Sequence, residues 1–288
     1  GKSRAFIKIQ EGCDFRCSYC IIPHVRGDAR SYEESVILNQ VQTLANNGFS
    51  EFILTGTNVG SYGKKMHTSL AKLLKKMSLI KGVKRIRMGS IEPIQIDDEF
   101  KELINEPFMA KHLHIALQHT SKDMLKIMNR RNKVLSDLEL FEFLSQNGYA
   151  LGTDFIVGHP GETQELWNEA MKNLHNFPLT HIHAFTYSKR DGTPSASMKD
   201  IVKGDVAKDR YIELIEIIKQ KNYEFRQNIK NNKVKLEVLV EQEKNGKYLG
   251  FDQFFNQVEI SSNEDLVSDW LNLEDYKVEF NKNEARFK

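Results

Sequence analysis

An alternation of strand-like and helix-like segments over the first 190 residues most constrains the fold of this 288-residue chain. The strand-like runs are residues 4–10, 51–57, 83–90, 112–118, 151–158 and 181–188, and the helical runs are residues 33–47, 68–78, 97–105, 121–129, 134–147 and 162–176. Consecutive βα units predict a parallel sheet covered by helices. Six units are too few for a closed eightfold barrel, so we expect a doubly wound sheet or an open partial barrel. In either case the ligand site should lie at the carboxyl ends of the strands.

The last third of the chain has a different pattern. Residues 205–231 form a charged helical run, which predicts one long helix that packs across the barrel or links two domains. The segments that follow alternate apolar and polar residues and are separated by turn residues such as Asn245 and Gly246. This pattern predicts a small antiparallel β-barrel. We therefore expect two domains, residues 1–230 and residues 231–288.

The composition is that of an ordinary globular chain, with 40% hydrophobic and 28% charged residues. There is no run of about 18 apolar residues and no signal-peptide pattern at the start, so we expect a cytoplasmic protein without a membrane span. Residues 231–288 carry 8 Lys and Arg against 12 Asp and Glu, a net charge of −4. Residues 1–230 carry the other 33 basic and 27 acidic residues, a net charge of +6, which favours an anionic partner for the larger domain.

All three cysteines of the chain, Cys13, Cys17 and Cys20, lie in the stretch EGCDFRCSYCIIPH after the first predicted strand. In a cytoplasmic chain such a cluster indicates metal binding or catalysis rather than a disulfide framework. Three thiolates on one loop can hold three irons of a [4Fe–4S] cube and leave the fourth iron open to a chelating molecule. The alternatives are a zinc site with His24 as the fourth ligand and a coincidental cluster. Zinc ligands usually come as two separated pairs, so the spacing favours the iron–sulfur cluster.

The cysteine stretch resembles the signature of the radical S-adenosylmethionine (SAM) superfamily, with Tyr19 as the aromatic residue before the last cysteine. The longer stretch AFIKIQEGCDFRCSYCIIPHVRGDARS resembles the methylthiotransferase branch, in which Cys-x-x-Pro-x-x-Arg-Gly is typical, here Cys20 to Gly27. The resemblance runs through essentially the whole chain. It implies a partial (βα)6 TIM-like barrel followed by a small antiparallel β-barrel similar to the RNA-binding TRAM domain. It also implies that the cofactors are a [4Fe–4S] cluster and SAM.

Five further stretches match the family in order, each near the end of a predicted strand: LTGTNVGSYG, RMGSIEP, LQHTSKDMLKIMNRR, TDFIVGHPGET and FTYSKRDGTPSA. By resemblance, the cluster ligands are Cys13, Cys17 and Cys20, and the substrate contacts are Arg26, Tyr187 and Arg190. By resemblance, the residues that bind SAM are Tyr19, Gly56, Thr57, Asn58, Ser90, Glu92, Gln118, Arg130, Ile156, Val157 and Gly158. No catalytic residue beyond the cluster and SAM is expected. The chain departs from the family at Gly89 and His119, where serines are usual, and at His159, where phenylalanine is usual.

The resemblance implies a chemistry in which one electron from the cluster cleaves SAM to a 5′-deoxyadenosyl radical, and a methylthio group then enters an unreactive C–H bond. An electron donor is therefore an expected partner. Family members hold a second, sulfur-supplying cluster on three cysteines of an N-terminal domain, and this chain has no further cysteines. Because the chain starts abruptly at Gly1, we expect that domain to be missing from this piece. The chain alone is then predicted to cleave SAM without transferring sulfur.

The stretch LTGTNVGSYG bears on the substrate. It most resembles the branch that acts on threonylcarbamoyladenosine in tRNA, which favours Gly-Val-Asn-hydrophobic-Gly-x-Tyr-Gly, with Thr57 in place of the usual valine. We therefore predict methylthio insertion at C2 of N6-threonylcarbamoyladenosine next to the tRNA anticodon. Isopentenyladenosine in tRNA and ribosomal protein S12 are the alternative substrates. A radical SAM enzyme of different chemistry and a zinc-stabilised RNA-binding module without catalysis are the alternative classes.

Three other patterns are interpreted structurally. Histidines at alternating positions of two predicted strands are expected to face the sheet rather than to bind a metal: His112, His114, His181 and His183. The basic run at Lys84, Arg85 and Arg87 is interpreted as a solvated patch, with contact to RNA as the alternative. Glu162 is interpreted as an acid in the first turn of a helix. The tail domain is either an RNA-binding domain or a structural cap, and its net negative charge argues against a broad phosphate-binding face.

Overall fold

The computed structural model describes residues 3–287. The strands are β1 Arg4–Lys8, β2 Gln10–Glu11, β3 Arg30–Ser31, β4 Glu51–Thr55, β5 Arg85–Met88, β6 His112–His114, β7 Ala150–Val157, β8 Leu179–Thr186, β9 Leu236–Lys244, β10 Lys247–Phe251, β11 Gln257–Ser261, β12 Trp270–Leu273, β13 Lys277–Val278 and β14 Asn283–Arg286. The helices are α1 Ile22–Arg26, α2 Glu34–Asn46, α3 Leu70–Ser78, α4 Asp98–Lys101, α5 Lys122–Ile127, α6 Val134–Gln146, α7 Gln164–Asn176 and α8 Gly204–Asn231. None of the helices in this range is both long and apolar enough to cross a membrane.

The first domain is a partial barrel of six parallel strands. Strands β1, β4 and β5 pair in that order, and β6, β7 and β8 pair in that order. Backbone bridges from Ile86 to Met109 and from Ile91 to Ile115 join the two groups. Strands that follow one another along the chain are therefore neighbours in space, without the reversal of order that marks a doubly wound sheet. Within the described residues β8 does not pair with β1, so the barrel is open on that side.

The predicted elements are present, with shifted ends. Two of the predicted helices end as expected, because Gly48 and Gly148 follow them with φ of 91° and 81°, the left-handed region that stops a helix. Helix α7 begins at Gln164 rather than Glu162, since the Thr163 hydroxyl accepts a hydrogen bond from the backbone N–H of Leu166 at 3.3 Å. The interpretation of Glu162 as a first-turn acid is wrong: its side chain turns inward and is buried.

The C-terminal strands form one curled sheet in the order β12-β9-β10-β11-β14-β13. Its core contains apolar side chains from β9 and β11: Leu236, Val238, Val240, Val258 and Ile260. The small β domain predicted from the sequence is therefore confirmed. Its sheet is mixed rather than wholly antiparallel, because β11 and β14 run parallel with Val258 opposite Asn283. The division of the chain at residues 230 and 231 stays a prediction.

Two buried arginines join the two domains. Arg85 and Arg87 flank the carboxylate of Glu51 inside the protein, with 2.9 Å between Arg87 Nε and Glu51 Oε1. Arg85 Nη1 also donates to the carbonyl oxygen of Glu237 at 2.8 Å, and Arg87 Nη2 donates to that of Asp252 at 2.5 Å. Burial would raise the pKa of Glu51, but the two guanidinium groups outweigh it and lower that pKa. The prediction of a solvated basic patch is wrong here, because the second domain covers this end of the barrel.

Two uncharged histidines lie at the same end of the barrel. The ring of His112 is buried, with 5.1 Å between its centroid and that of Phe255, and the half-buried His181 lies against it with a centroid separation of 5.0 Å. Burial lowers the pKa of His112 well below its ordinary value and lowers that of His181 to about 4. Both side chains are therefore neutral in the folded protein at pH 7 and well below it.

We expect His181 to make the protein less stable in acid. The imidazole of His181 binds a proton near pH 6.5 in the unfolded chain and only near pH 4 in the folded chain. The free energy of unfolding therefore falls as the pH drops between these values. From pH 7 to pH 5 this histidine contributes a loss of about 2 kcal/mol. Urea unfolding at pH 7 and at pH 5 measures this loss. Between these two pH values, the free energy of unfolding of His181→Gln should fall by about 2 kcal/mol less than that of the parent protein. The exposed His175→Gln variant should follow the parent, and equal losses in all three proteins would contradict the expectation.

Candidate functional site

The cysteine loop runs from β2 to α1 at the carboxyl end of β1. Gly12 starts it with φ of 74°, and a Cβ atom there would lie 2.1 Å from the carbonyl oxygen of Asp28. Only glycine fits this close approach of two backbone segments. The N–H of Cys13 donates to the carbonyl oxygen of Gly27 at 3.1 Å, which closes the loop. Local backbone packing therefore brings the three thiols to the strand ends.

The three cysteines face a cavity of about 190 Å³ at the carboxyl ends of the barrel strands. Eight predicted site residues line this cavity: Cys13, Cys17, Cys20, Thr57, Asn58, Ser90, Glu92 and Gln118. Five residues that the sequence did not single out complete its wall: Phe15, Ile22, Ile91, Ala116 and Asp154. The apolar members limit water, and the polar members offer ligands and hydrogen-bond partners to a bound molecule.

Side-chain donor groups lie beside two of the three sulfur atoms. Asn58 Nδ2 lies 3.6 Å from the sulfur of Cys13, and Arg130 Nη1 lies 3.6 Å from the sulfur of Cys17. Burial raises the pKa of the Cys20 thiol and so disfavours its thiolate in the absence of a cation. Donors aimed at sulfur stabilise thiolates and the anionic cluster that thiolates bind.

The ligands around the cavity bear on the two metal sites that the sequence left open. Three thiolates on one loop can hold three irons of a [4Fe–4S] cube, whereas a tetrahedral zinc ion needs a fourth ligand, usually a cysteine or histidine. The described residues that line the cavity include no fourth cysteine and no histidine. The residues present therefore fit a [4Fe–4S] cluster.

A buried ion pair supports one side of the cavity. Arg130 Nη1 and Nη2 donate to the two carboxylate oxygens of Glu92 at 2.9 and 2.5 Å, and Nη2 also donates to the carbonyl oxygen of Ala116. Burial would lower the pKa of Arg130, but Glu92 outweighs it and raises that pKa. Glu92 lines the cavity and Arg130 lies behind it. The structure thus places Arg130 where it orients Glu92 and reaches the cluster loop.

Gln118 enters the cavity from a strained backbone. Its φ is 66°, in the left-handed region that non-glycine residues rarely adopt. Two hydrogen bonds to β7 hold it there: its N–H donates to the carbonyl oxygen of Asp154, and its own carbonyl oxygen accepts from the N–H of Ile156, both at 2.9 Å. Such strain is typical of functional sites. Asp154 itself receives a hydrogen bond from the Ser90 hydroxyl at 3.2 Å.

Two glycines predicted to bind SAM lie beside the cavity rather than in its wall. A Cβ atom at Gly56 would lie 2.9 Å from the carbonyl oxygen of Gln10, and the side chain of Gln10 accepts the N–H of Asn58 at 2.8 Å. Gly56 therefore allows the packing that positions Asn58. The N–H of Gly158 donates to Glu162 at 3.0 Å, so this turn is held by the protein itself.

The other predicted SAM residues form an apolar layer next to the cavity. Tyr19 and Ile156 belong to one small apolar cluster, and Val157 is fully buried. The carbonyl oxygen of Val157 accepts the N–H of Tyr187 at 2.8 Å. His159 lies between the two tyrosines, with ring centroids 6.3 Å from Tyr19 and 5.1 Å from Tyr187. Their roles in binding SAM and substrate stay predictions.

The two arginines assigned to substrate binding lie on the surface outside the cavity wall. Arg26 is exposed and donates to Glu11 at 3.1 Å. Arg190 is also exposed, and its carbonyl oxygen accepts from the Thr193 hydroxyl at 2.7 Å. These positions leave both guanidinium groups accessible to a large anionic molecule.

A buried charge network that the sequence did not reveal holds the turn after β7. Glu162 accepts from Arg210 Nη1 at 2.7 Å, and its other oxygen lies 3.2 Å from Nε2 of His119. The same carboxylate accepts the N–H of Gly158. Since Arg210 comes from α8, the long helix fixes the loop that adjoins the cavity. No local spacing signal links residues this far apart in the chain.

A family model described as the radical SAM superfamily matches residues 7–174. A Helicobacter pylori protein that carries the provisional name methylthiotransferase is 53% identical over 287 residues, which cover 100% of this chain and 69% of that protein. A Bacillus subtilis threonylcarbamoyladenosine tRNA methylthiotransferase is 34% identical over 99% of this chain and 65% of its own length. A Hydrogenobaculum tRNA-2-methylthio-N(6)-dimethylallyladenosine synthase is 35% identical over 91% of this chain and 61% of its own length.

Among solved structures, coproporphyrinogen III oxidase from Escherichia coli, a radical SAM enzyme, is similar with a TM-score of 0.59. The match covers 86% of this chain and 64% of the oxidase at 14% identity. This likeness supports the fold alone. It agrees with the open six-stranded barrel described above.

Proposed function

Because this chain belongs to the methylthiotransferase family of the radical SAM superfamily, we propose that it is the SAM-cleaving part of an enzyme that acts on tRNA. The proposed reaction inserts a methylthio group at C2 of N6-threonylcarbamoyladenosine next to the anticodon. The observation that carries the proposal is the placement of three thiols at one cavity, with Asn58 and Arg130 donating toward two of them.

The residues of the cavity have distinct tasks in this proposal. When bound, the cluster and SAM supply one-electron cleavage of a carbon–sulfur bond. Cys13, Cys17 and Cys20 hold the iron, and the strained Gln118 presents its amide to SAM. Glu92, neutralised by Arg130, is a fixed acceptor for the SAM amine or ribose. Apolar side chains on the wall limit the access of water to reactive species.

The choice of tRNA substrate depends on one stretch of sequence. The relatives named for threonylcarbamoyladenosine and for dimethylallyladenosine are 34% and 35% identical to this chain, so overall identity does not separate them. The stretch LTGTNVGSYG favours the threonylcarbamoyl substrate. The net charge of +6 on residues 1–230 and the exposed Arg26 and Arg190 are consistent with tRNA as the partner.

The sulfur and the electron come from outside these residues in the proposal. The chain has three cysteines, and all three are assigned to one cluster. We therefore infer a second cluster on an N-terminal domain as the sulfur source, together with a separate electron donor. The chain spans 69% of the length of its Helicobacter relative, which leaves room for such a domain in a protein of that length.

The substrate is tested by mass spectrometry of tRNA from cells that lack the gene. We expect loss of the methylthio mark on threonylcarbamoyladenosine and retention of that on isopentenyladenosine. The intact gene should restore the mark, as should a His175→Gln version, whereas a Cys17→Ser version should not. Loss of the mark on isopentenyladenosine instead would reassign the substrate. Unchanged tRNA, with a change in ribosomal protein S12, would overturn the tRNA proposal.

A further inference from the structure

We propose that His114, Asp154 and His183 form a second metal site, for a divalent first-row transition ion such as Zn²⁺ or Fe²⁺, in the barrel wall beside the cluster cavity. The three residues come from the neighbouring strands β6, β7 and β8. Asp154 and His183 are directly opposite one another in the sheet, and His114 is opposite Gly152, two residues before Asp154.

The ligand atoms have the spacing of a metal site. All three lie within 4.8 Å of one another. Asp154 Oδ1 is 3.0 Å from Nε2 of His114 and 3.5 Å from Nδ1 of His183. A tetrahedral ion with bonds of about 2.0–2.1 Å needs ligand atoms about 3.3–3.4 Å apart. Two imidazoles and one carboxylate are a donor set that binds zinc and non-haem iron.

One ring nitrogen at this site lacks a hydrogen-bond partner. The side chain of His114 is only 9% exposed, and within the described residues its Nε2 makes no hydrogen bond. The atom lies near the carboxylate of Asp154 but is not oriented for a hydrogen bond to it. A buried polar atom without a well-aligned partner lowers the stability of a fold. A metal ion bound to Nε2 and the carboxylate would remove that loss of stability.

The surroundings make room for the rings and orient the carboxylate. A Cβ atom at Gly152 would lie 2.8 Å from Nδ1 of His114, so a side chain there would displace that ring. The rings of His114 and His183 stack with centroids 4.5 Å apart. Ser90 donates to Oδ2 of Asp154, which leaves Oδ1 for an ion, as outer-shell hydrogen bonds do in metal sites.

The site lies between the cluster cavity and the protein surface. Asp154 lines the cluster cavity, whereas the side chain of His183 is 63% exposed on the last strand of the open barrel. An ion held here reaches both the cavity and the opening, and three protein ligands leave a position for water or a substrate oxygen.

The sequence-based interpretation treated the four strand histidines alike. The structure divides them into two pairs. His112 and His181 lie with Phe255 under the second domain, where burial keeps them neutral. His114 and His183 each lie two residues further along the same strand, beside the carboxylate of Asp154. For this second pair, the expectation that the rings only face the sheet stays a prediction, and the proposed site is the alternative to it.

The test is a zinc titration of the chain after its cysteines have been filled by anaerobic reconstitution with iron and sulfide. Competition with a chromophoric chelator, followed by metal analysis, should give one zinc per chain beyond the cluster iron. Asp154→Asn and His183→Gln should each weaken zinc binding by more than the roughly 10–100-fold that loss of an outer-shell partner costs. Excess Mg²⁺ should not displace the zinc, because Mg²⁺ prefers oxygen ligands.

The control is His175→Gln, which removes an exposed histidine outside the site and should bind zinc like the parent chain. His183 is exposed, so His183→Gln decides the matter even if Asp154→Asn fails to fold. No zinc beyond the cluster, or equal affinity in the parent and His183→Gln, overturns the proposal. Cluster absorbance and SAM cleavage are measured on the same samples, so failure of the zinc site is distinguishable from failure of the proposed function.

Discussion

Replacing Cys17 with serine is expected to abolish the reductive cleavage of SAM by the reconstituted chain. Serine is a poor ligand for iron, and the two remaining cysteines cannot hold a cube that needs three corners on protein thiolates. The loss of Cys17 also leaves Arg130 Nη1 without the sulfur that lies 3.6 Å away. The measurements are iron and acid-labile sulfide per chain, together with 5′-deoxyadenosine formed from SAM with a chemical reductant.

The matched control is His24→Ala. His24 is the fourth ligand of the zinc alternative, and it is exposed on α1 next to the cluster loop. The iron–sulfur assignment predicts that His24→Ala keeps its iron, sulfide and SAM cleavage. A zinc site predicts instead a colourless parent protein whose zinc is lost in His24→Ala. Retained cleavage in Cys17→Ser would refute the assignment of the cysteines as cluster ligands.

The same experiment separates the two parts of the overall reaction. The parent chain should form 5′-deoxyadenosine and no methylthiolated tRNA, because all three of its cysteines are assigned to one cluster in the proposal. Formation of methylthio product by the isolated chain would contradict a sulfur source outside it.

Local patterns carried most of what the sequence could predict. The six βα units depend on hydrophobic periodicity, and the cluster loop depends on three ligands within eight residues, so both are encoded in short stretches. Cavity residues such as Thr57 and Ser90 follow from their position directly after strands, since the carboxyl ends of parallel strands meet at one edge.

What the sequence did not reveal depends on contacts between distant segments. Glu92 and Arg130 are 38 residues apart, and Glu162 and Arg210 are 48 apart, so no periodicity signals either pair. Asp154 lines the cavity and is the one ionisable residue of β7. A lone ionisable residue within a strand is the signal that sequence analysis could have used.

Replacing Glu51 with glutamine should lower the free energy of unfolding by about 3–5 kcal/mol. The Glu51 side chain is fully buried between the guanidinium groups of Arg85 and Arg87. Glutamine preserves its shape but removes the negative charge that lies between the two guanidinium groups. Burial already lowers the pKa of Arg85 to about 10. Urea unfolding at pH 7, followed by circular dichroism, measures the loss.

Glu102→Gln provides the control, because Glu102 is 68% exposed and lies 3.5 Å from Lys75. Exposed pairs contribute about 0–1 kcal/mol, so this variant should unfold like the parent. Arg85 and Arg87 also donate to carbonyl oxygens of the β domain. Loosening that contact should therefore make the C-terminal strands of Glu51→Gln exchange their amide hydrogens faster, while the cluster loop at the opposite end of the barrel keeps its iron. Parent-like unfolding of Glu51→Gln would mean that hydrogen bonds to the β domain, rather than the shared carboxylate, stabilise the two arginines.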